Sequence, residues 1–414
     1  MHYIFKYPEL FDGVERTDFR DLNGDIVIYG AGFQGLLTAF LLKKQNIDVI
    51  CFADVDKRKQ GTLYYGLPVI SPEEMTEKYR DKTVIVTPYS LENVWEHLKN
   101  DLHLKNLVTP FSLFLDFYTD GFDKLPEIPE WYHPDTVNFN IERFLIKCVN
   151  VLTDHEIFCY ELSVTERCSL RCRNCVSLMP CYEKPVDFNY NDLLNDILKL
   201  IENRTIYILI IEGGEPFLWK PLAEFLTELC KHSNIMRIYP ITNGTIIPDK
   251  NLLKALSDPK ITVRISDYGT YSKTDKLVSL FRENRIDYWL QLQIWNELSA
   301  YTLKEHNKEE MEKVILSCCK LQFTGGVYIK NGRLYICPNQ GNLDELGIFK
   351  AEEGSFVDLR KENSKELQEE IDRFLRNRPV GALCRHCNGR GFTNKEVPPA
   401  EQLKPGEKIN VRFE

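Results

Sequence analysis

Glu161-Leu-Ser-Val-Thr-Glu-Arg-Cys168 runs straight into Ser169-Leu-Arg-Cys172-Arg-Asn-Cys175, and the reading of these residues decides the fold. The first half is a strand-like run; the second is a tight Cys-x3-Cys-x2-Cys loop at its end. Iron–sulfur clusters take Cys thiolates as ligands, and three ligands for four irons leave one iron without a protein ligand. On spacing alone, a zinc site or three reduced buried thiols remain open.

Further along, Ile210-Ile-Glu-Gly213-Gly214-Glu215-Pro216 closes the next strand-like run. Two glycines there let a backbone edge approach a ligand where a Cβ would clash. Thr242-Asn243-Gly244 and Ser266-Asp267 end later runs on the same rim, where polar side chains could hold a ribose. Each of these also reads, taken singly, as turn chemistry. Strand-like runs at 157–164, 205–214, 236–244, 261–269 and 286–294 alternate with stretches long enough for helices. Such alternation implies a parallel sheet, here curved into a partial barrel.

Together these residues resemble the radical S-adenosylmethionine (SAM) superfamily over about Phe158 to Lys313. The resemblance implies a partial (β/α)6, TIM-like barrel with a [4Fe–4S] cluster on Cys168, Cys172 and Cys175. It places Gly213, Gly214 and Glu215 beside the methionine group of SAM, and Asn243, Ser266 and Asp267 as cofactor contacts. Reductive cleavage of SAM to a 5′-deoxyadenosyl radical, which abstracts a substrate hydrogen, is the implied chemistry. Asn174 departs from the family, many of whose members have an aromatic residue before the third cysteine.

Past the barrel come Ser317-Cys318-Cys319, Cys337-Pro338 and Cys384-Arg-His-Cys387. Four thiolates from three loops could close a structural zinc site. With the upstream loop present, the pattern resembles the twitch subdomain, the shortened form of the SPASM extension. That resemblance implies one auxiliary [4Fe–4S] cluster on Cys319, Cys337, Cys384 and Cys387, with Cys318 competing for the first place, and so two clusters in all. Cys51, Cys148, Cys159 and Cys230 lie mostly in apolar runs and read as inert thiols. Cys181, soon after the cluster loop, could return a hydrogen atom to a substrate radical.

At the other end, Asp25-Ile-Val-Ile-Tyr29 leads into Gly30-Ala-Gly32-Phe-Gln-Gly35 and then a helix-like segment. Strand, glycine turn and helix is the order a phosphate-cradling loop needs, and Asp54 falls ~20 residues on, where a ribose-binding acid sits. A tight structural turn explains the glycines equally well. The run resembles small Rossmann-like domains of bacterial polysaccharide enzymes, which implies a nucleotide-sugar or related ligand contacting Gly30, Gly32, Gly35 and Asp54.

The expected fold is therefore α/β. It comprises a Rossmann-like parallel sheet (1–110), a linker (111–156), the radical SAM barrel (157–315), a small iron–sulfur subdomain (316–392) and a tail (393–414). A net charge of -9 argues against nucleic acid as a partner. No run reaches the ~18 apolar residues of a membrane span, and no export signal is visible, so a cytoplasmic location is expected. Thirteen cysteines in such a chain point to metal ligands. A radical SAM oxidoreductase of the dehydrogenase type, acting on a small sugar or sugar-nucleotide with flavodoxin or ferredoxin as reductant, leads the expectations. A peptide maturase and a redox-neutral epimerase are the alternatives.

Overall fold

The computed structural model describes residues 14–22, 26–88, 91–120, 134–152, 157–291, 295–297, 301–318, 327–377, 379–387 and 396–413. The chain divides into two compact units, Met1–Glu156 and Ile157–Glu414.

In the first unit, β1 (Ile26–Tyr29) is buried throughout, the mark of a central parallel strand covered on both faces. It feeds α1 (Phe33–Lys44), followed by β2 (Val49–Ala53), β3 (Leu63–Tyr64), β4 (Leu67–Ile70), α2 (Pro72–Tyr79), β5 (Thr83–Val86), α3 (Leu91–Glu96) and β6 (Leu107–Val108). The sheet order is β3-β4-β2-β1-β5-β6. All neighbours pair in parallel except β3 with β4, which is antiparallel. The five parallel strands follow the Rossmann order, with its switch point between β1 and β5. A Cβ on Gly35 would lie 2.0 Å from the Gly30 carbonyl oxygen, so only glycine lets α1 pack this closely on the turn.

The expected linker is a correction. Residues 111–120 and 134–152 form α4 (Phe111–Asp120) and α5 (Pro134–Leu152), both within the first unit. Phe114 and Phe144 meet with ring centroids 5.4 Å apart, and the buried Lys147 ammonium pairs with Glu92 on α3 at 2.9 Å. The Pro-rich residues 121–133 lie outside the described residues.

In the second unit the chain order is β7 (Ile157–Thr165), α6 (Tyr190–Ile201), β8 (Thr205–Gly213), α7 (Leu222–Cys230), β9 (Ile235–Thr242), α8 (Lys250–Leu256), β10 (Val263–Ser266), α9 (Thr274–Glu283) and β11 (Tyr288–Gln291). After β12 (Trp295–Asn296), β13 (Thr302–Leu303) and α10 (Lys308–Ser317) come β14 (Val327–Lys330), β15 (Arg333–Tyr335), α11 (Pro338–Glu345), β16 (Phe356–Asp358) and α12 (Lys365–Asn377). β17 (Glu396–Val397) and β18 (Arg412–Phe413) follow. The sheet order is β11-β10-β9-β8-β7-β14-β15-β16, with β7 to β11 pairing in parallel. This is the mixed α/β, partial-barrel arrangement expected, and the sheet is open among the described residues.

Residues expected as a separate small subdomain extend the barrel's own sheet: β14 pairs in parallel with β7, and β15 and β16 continue it antiparallel. Helix α12 joins the same core through Leu367, Ile371 and Phe374. The buried Arg204 guanidinium clamps it, donating to Asp372 Oδ1 at 2.8 Å and Gln368 Oε1 at 2.7 Å. Nor are residues 396–413 a free tail, because β17 pairs with β12 and β18 with β13.

Alternation sorts the barrel strands into two faces. Leu162 and Val164 of β7, Ile211 of β8, Ile238 of β9, and Val263 and Ile265 of β10 enter the helix-packed core. Their neighbours in sequence, Glu161, Glu212, Arg237, Tyr239 and Arg264, therefore line the opposite, concave face.

Candidate functional site

The loop after β7 is a succession of turns. Arg167 N–H donates to Thr165 Oγ1 at 3.0 Å, Cys175 N–H to the Cys172 carbonyl at 3.3 Å, and Leu178 N–H to the Cys175 carbonyl at 3.0 Å. Leu178 then takes a left-handed φ of 53°. These turns bring Cys168, Cys172 and Cys175 into one electrostatic neighbourhood, each raised by another's charge.

Burial first, then those neighbours, push Cys168 and Cys175 up to about 12. Cys172 is pushed to about 11, chiefly by burial. Left alone, the three would stay protonated at neutral pH; a bound metal removes a coordinating thiol's proton outright. All three sulfurs nevertheless receive N–H donors, the partners of a thiolate. Cys168 Sγ accepts from Leu170 N at 3.5 Å and Asn243 Nδ2 at 3.6 Å, and Cys172 Sγ from Gln402 Nε2 at 3.2 Å. Cys175 accepts from the backbone of Met179 and Ser177. This donor set fits a [4Fe–4S] cluster. Among the described residues no three His, Cys, Asp or Glu side chains converge to hold a single ion, so the assignment stands on donor chemistry rather than on a preformed cage.

The glycines of the next strand end are also needed for packing within the chain. Cβ atoms on Gly213 and Gly214 would lie 2.2 Å from the Thr165 carbonyl oxygen and 2.1 Å from that of Arg167. They let the end of β8 close on the sulfur loop's own backbone. Glu215 is wholly buried, and its carboxylate accepts from Phe217 N at 3.1 Å and Asn243 N at 2.7 Å. It braces the rim, and burial pushes it up to about 7. Ser266 is buried at the end of β10, and Asp267 Oδ1 accepts from Gly269 N and Thr274 Oγ1.

Two tyrosines that the sequence did not single out flank the loop. Tyr301 Oη donates to the Cys175 carbonyl at 3.5 Å, and Tyr268 lies close enough to Cys172 and Cys175 to feel their charge. Cys181 Sγ donates to the Ile409 carbonyl at 3.7 Å, and burial pushes its thiol up to about 11.

At the second cysteine group, Cys337 is raised first by burial and then by Cys384, Cys387 and Cys318. The described thiol at the first position is Cys318; Cys319 lies outside the described residues. The turn bearing Cys384 and Cys387 is held by Lys304 N and His306 N, which donate to the carbonyls of His386 and Arg385.

In the first unit, Gly30 takes a φ of 107° and Gly32 starts α1 with open space around its Cα. Asp54, expected to meet a ribose, is buried beneath this turn. Its Oδ2 accepts from Ala31 N at 2.8 Å and Lys59 Nζ at 3.1 Å, and its Oδ1 from Asp56 N at 2.8 Å.

Glu161, Glu212, Arg237 and Arg264 on the concave face were also missed. Charged residues at alternate positions of strands in a βα fold were the available signal, since strands covered on both faces read as unbroken apolar runs. Arg237 Nη1 donates to Tyr239 Oη at 3.2 Å, and the Arg264 guanidinium lies 5.9 Å from the Trp289 ring centroid.

The family model described as "Radical SAM superfamily" matches residues 162–318. The chain is similar to the GTP 3′,8-cyclase of Campylobacter jejuni subsp. doylei, 28% identical over 166 residues, covering 38% of this chain and 51% of the relative. It is also similar to that of Clostridium perfringens strain 13, 25% identical over 214 residues, covering 48% and 63%. The first of these alignments spans about half the length of the curated relative. Among solved structures it is similar to BtrN in complex with AdoMet and 2-DOIA, at 14% identity and TM-score 0.37, over 61% of this chain and 100% of that one. No helix among the described residues is long and apolar enough to cross a membrane. With the match beginning at the strand that presents the sulfur loop, residues 162–318 of this chain are a radical SAM domain, for which S-adenosylmethionine and a [4Fe–4S] cluster are the cofactors.

Proposed function

We propose that this chain uses the sulfur loop to start radical chemistry on a small sugar-bearing substrate, oxidising a carbon of a sugar or sugar-nucleotide. The observation that carries the radical step is the set of N–H donors on the sulfurs of Cys168, Cys172 and Cys175. When bound, the cluster and SAM supply a 5′-deoxyadenosyl radical that removes a hydrogen atom. The chain's part is to hold three sulfurs, present the backbone at 213–215 to the SAM methionine group, and offer Asn243 and Ser266 at the rim.

Arg237 and Arg264, set on the concave face among Glu161 and Glu212, give a sugar-phosphate both the cationic donors that phosphate oxygens take and the carboxylate acceptors that sugar hydroxyls take. Cys319, Cys337, Cys384 and Cys387 would hold an auxiliary [4Fe–4S] cluster, with Cys318, close enough to Cys337 and Cys384 for its charge to be felt there, the alternative first ligand. Fully ligated, it has no open iron and is suited to accepting one electron, which favours oxidation. The engagement of Cys181 with Ile409 points the same way, since a thiol returning a hydrogen atom must face the substrate. The glycine turn at Gly30, Gly32 and Gly35 suits the phosphates of a nucleotide-linked ligand. A second reading, ring closure within GTP, rests on the cyclases matched over the barrel; GTP too is a sugar bearing phosphates.

Anaerobically reconstituted protein, given SAM and reduced flavodoxin or ferredoxin, is offered deuterated sugar-nucleotides, GTP and a peptide pool. The reading predicts deuterium in 5′-deoxyadenosine and an oxidised product from a sugar-nucleotide, with Arg264→Gln raising KM about tenfold or more. Transfer from peptide alone contradicts it, and a ring-closed GTP product would favour the second reading.

A further inference from the structure

Residues 400–407 cross directly over the sulfur loop. Cys172 and Gln402 form an antiparallel bridge between segments 230 residues apart. Leu403 N–H donates to the Arg171 carbonyl at 2.9 Å, and Arg173 N–H to the Glu401 carbonyl at 2.7 Å. The Arg173 guanidinium pairs with Glu401 at 3.1 Å and with Glu407 at 2.8 Å. The segment is anchored on both sides, through β17 on β12 and β18 on β13.

Within this crossing the Gln402 side chain has one consistent orientation. Its Oε1 accepts Arg171 N–H at 2.7 Å, which a side-chain NH2 could not do. The Nε2 is thereby turned to Cys172 Sγ at 3.2 Å and to the Ala400 carbonyl at 2.6 Å. Ala400 is wholly buried and holds a left-handed φ of 54°, a conformation costly for a residue with a Cβ. The surrounding contacts hold the backbone there, and so keep the amide aimed.

We propose that Gln402 is a positioning residue for the first cluster: its side-chain amide seats Cys172 and raises the cluster's reduction potential. The inference rests on the radical SAM reading above. Reduction places one more electron on the cluster and its sulfurs, so an N–H donor to a ligand sulfur bonds more strongly to the reduced state. Gln402 does this without adding charge, and only when residues 396–413 are docked. Completion of the fold and readiness of the cluster to accept an electron are thus one event.

The test uses the reconstituted full chain as wild type, Gln402→Met and Gln402→Glu. Met keeps the length and loses the donor; Glu keeps an acceptor for Arg171 N–H and sets negative charge against the sulfur. The reduced fraction is followed at a series of fixed potentials by the EPR signal that changes on adding SAM. At a given potential the reduced-to-oxidised ratio should fall about threefold in the Met variant and about tenfold or more in the Glu variant, tenfold being 59 mV for one electron. Loss of about four irons from both variants, with far-UV circular dichroism unchanged, would also support the proposal, because the amide would then be needed to seat the cluster at all. Variants that titrate with the wild type while holding equal iron overturn it. A wild type that binds no cluster overturns the radical SAM reading instead.

Discussion

Glu215, wholly buried, accepts the backbone N–H of Asn243 at 2.7 Å and so joins the end of β8 to the end of β9. Asn243 in turn donates its side-chain amide to Cys168 Sγ at 3.6 Å. A buried carboxylate thus places the residue that donates to one of the three sulfurs.

Burial raises Glu215 from 4.5 to about 7. The native state therefore holds a proton that the unfolded chain releases, and the stabilisation is full below pH 4.5 and lost as pH rises through about 7. Glu215→Gln keeps a carbonyl acceptor and cannot ionise. Its melting temperature relative to wild type should rise between pH 4.5 and about 7. The integrated difference is about 3 kcal/mol at most. A gap that does not change with pH would refute the assignment.

Lys330, wholly buried on β14, reaches Glu166 Oε1 at 3.3 Å and Asn342 Oδ1 at 2.9 Å, over the ring of Tyr182 at 4.6 Å. Burial draws Glu166 up and Lys330 down, each towards its neutral form, while their mutual attraction resists. Removing one partner strands the other, so Lys330→Met should cost about 3–5 kcal/mol and the double variant with Glu166→Leu much less. Chemical denaturation of the four proteins checks this; additive losses would show that the pair is not coupled.

Phe144→Ala should destabilise the first unit by about 3–5 kcal/mol, because Phe144 is wholly buried against Phe114. Limited proteolysis reads the loss, and 5′-deoxyadenosine formation should persist. A neutral substitution would restore the linker reading.

How much was legible follows from the range of each interaction. The Cys168–Cys175 loop and strands β7 to β11 declare themselves locally, through short spacings and βα alternation. Helix α4 is masked in the sequence by the aromatic and Pro-rich residues that follow it, although Phe111, Phe114 and Phe117 keep a helical apolar spacing. Gln402 left no trace at all, since nothing local couples it to a thiol 230 residues away. The spacing of Asp54 from the glycine turn is legible, but its contacts to Ala31 N–H and Lys59 are not, because they depend on how the turn folds over it.

Iron content together with 5′-deoxyadenosine release tests the central claim most directly. Anoxically reconstituted wild type should hold about eight irons per chain and release 5′-deoxyadenosine when reduced with SAM. The Cys168→Ala, Cys172→Ala, Cys175→Ala triple variant should keep about four irons and release none. A colourless wild type, or a triple variant that releases as much 5′-deoxyadenosine, would contradict the account.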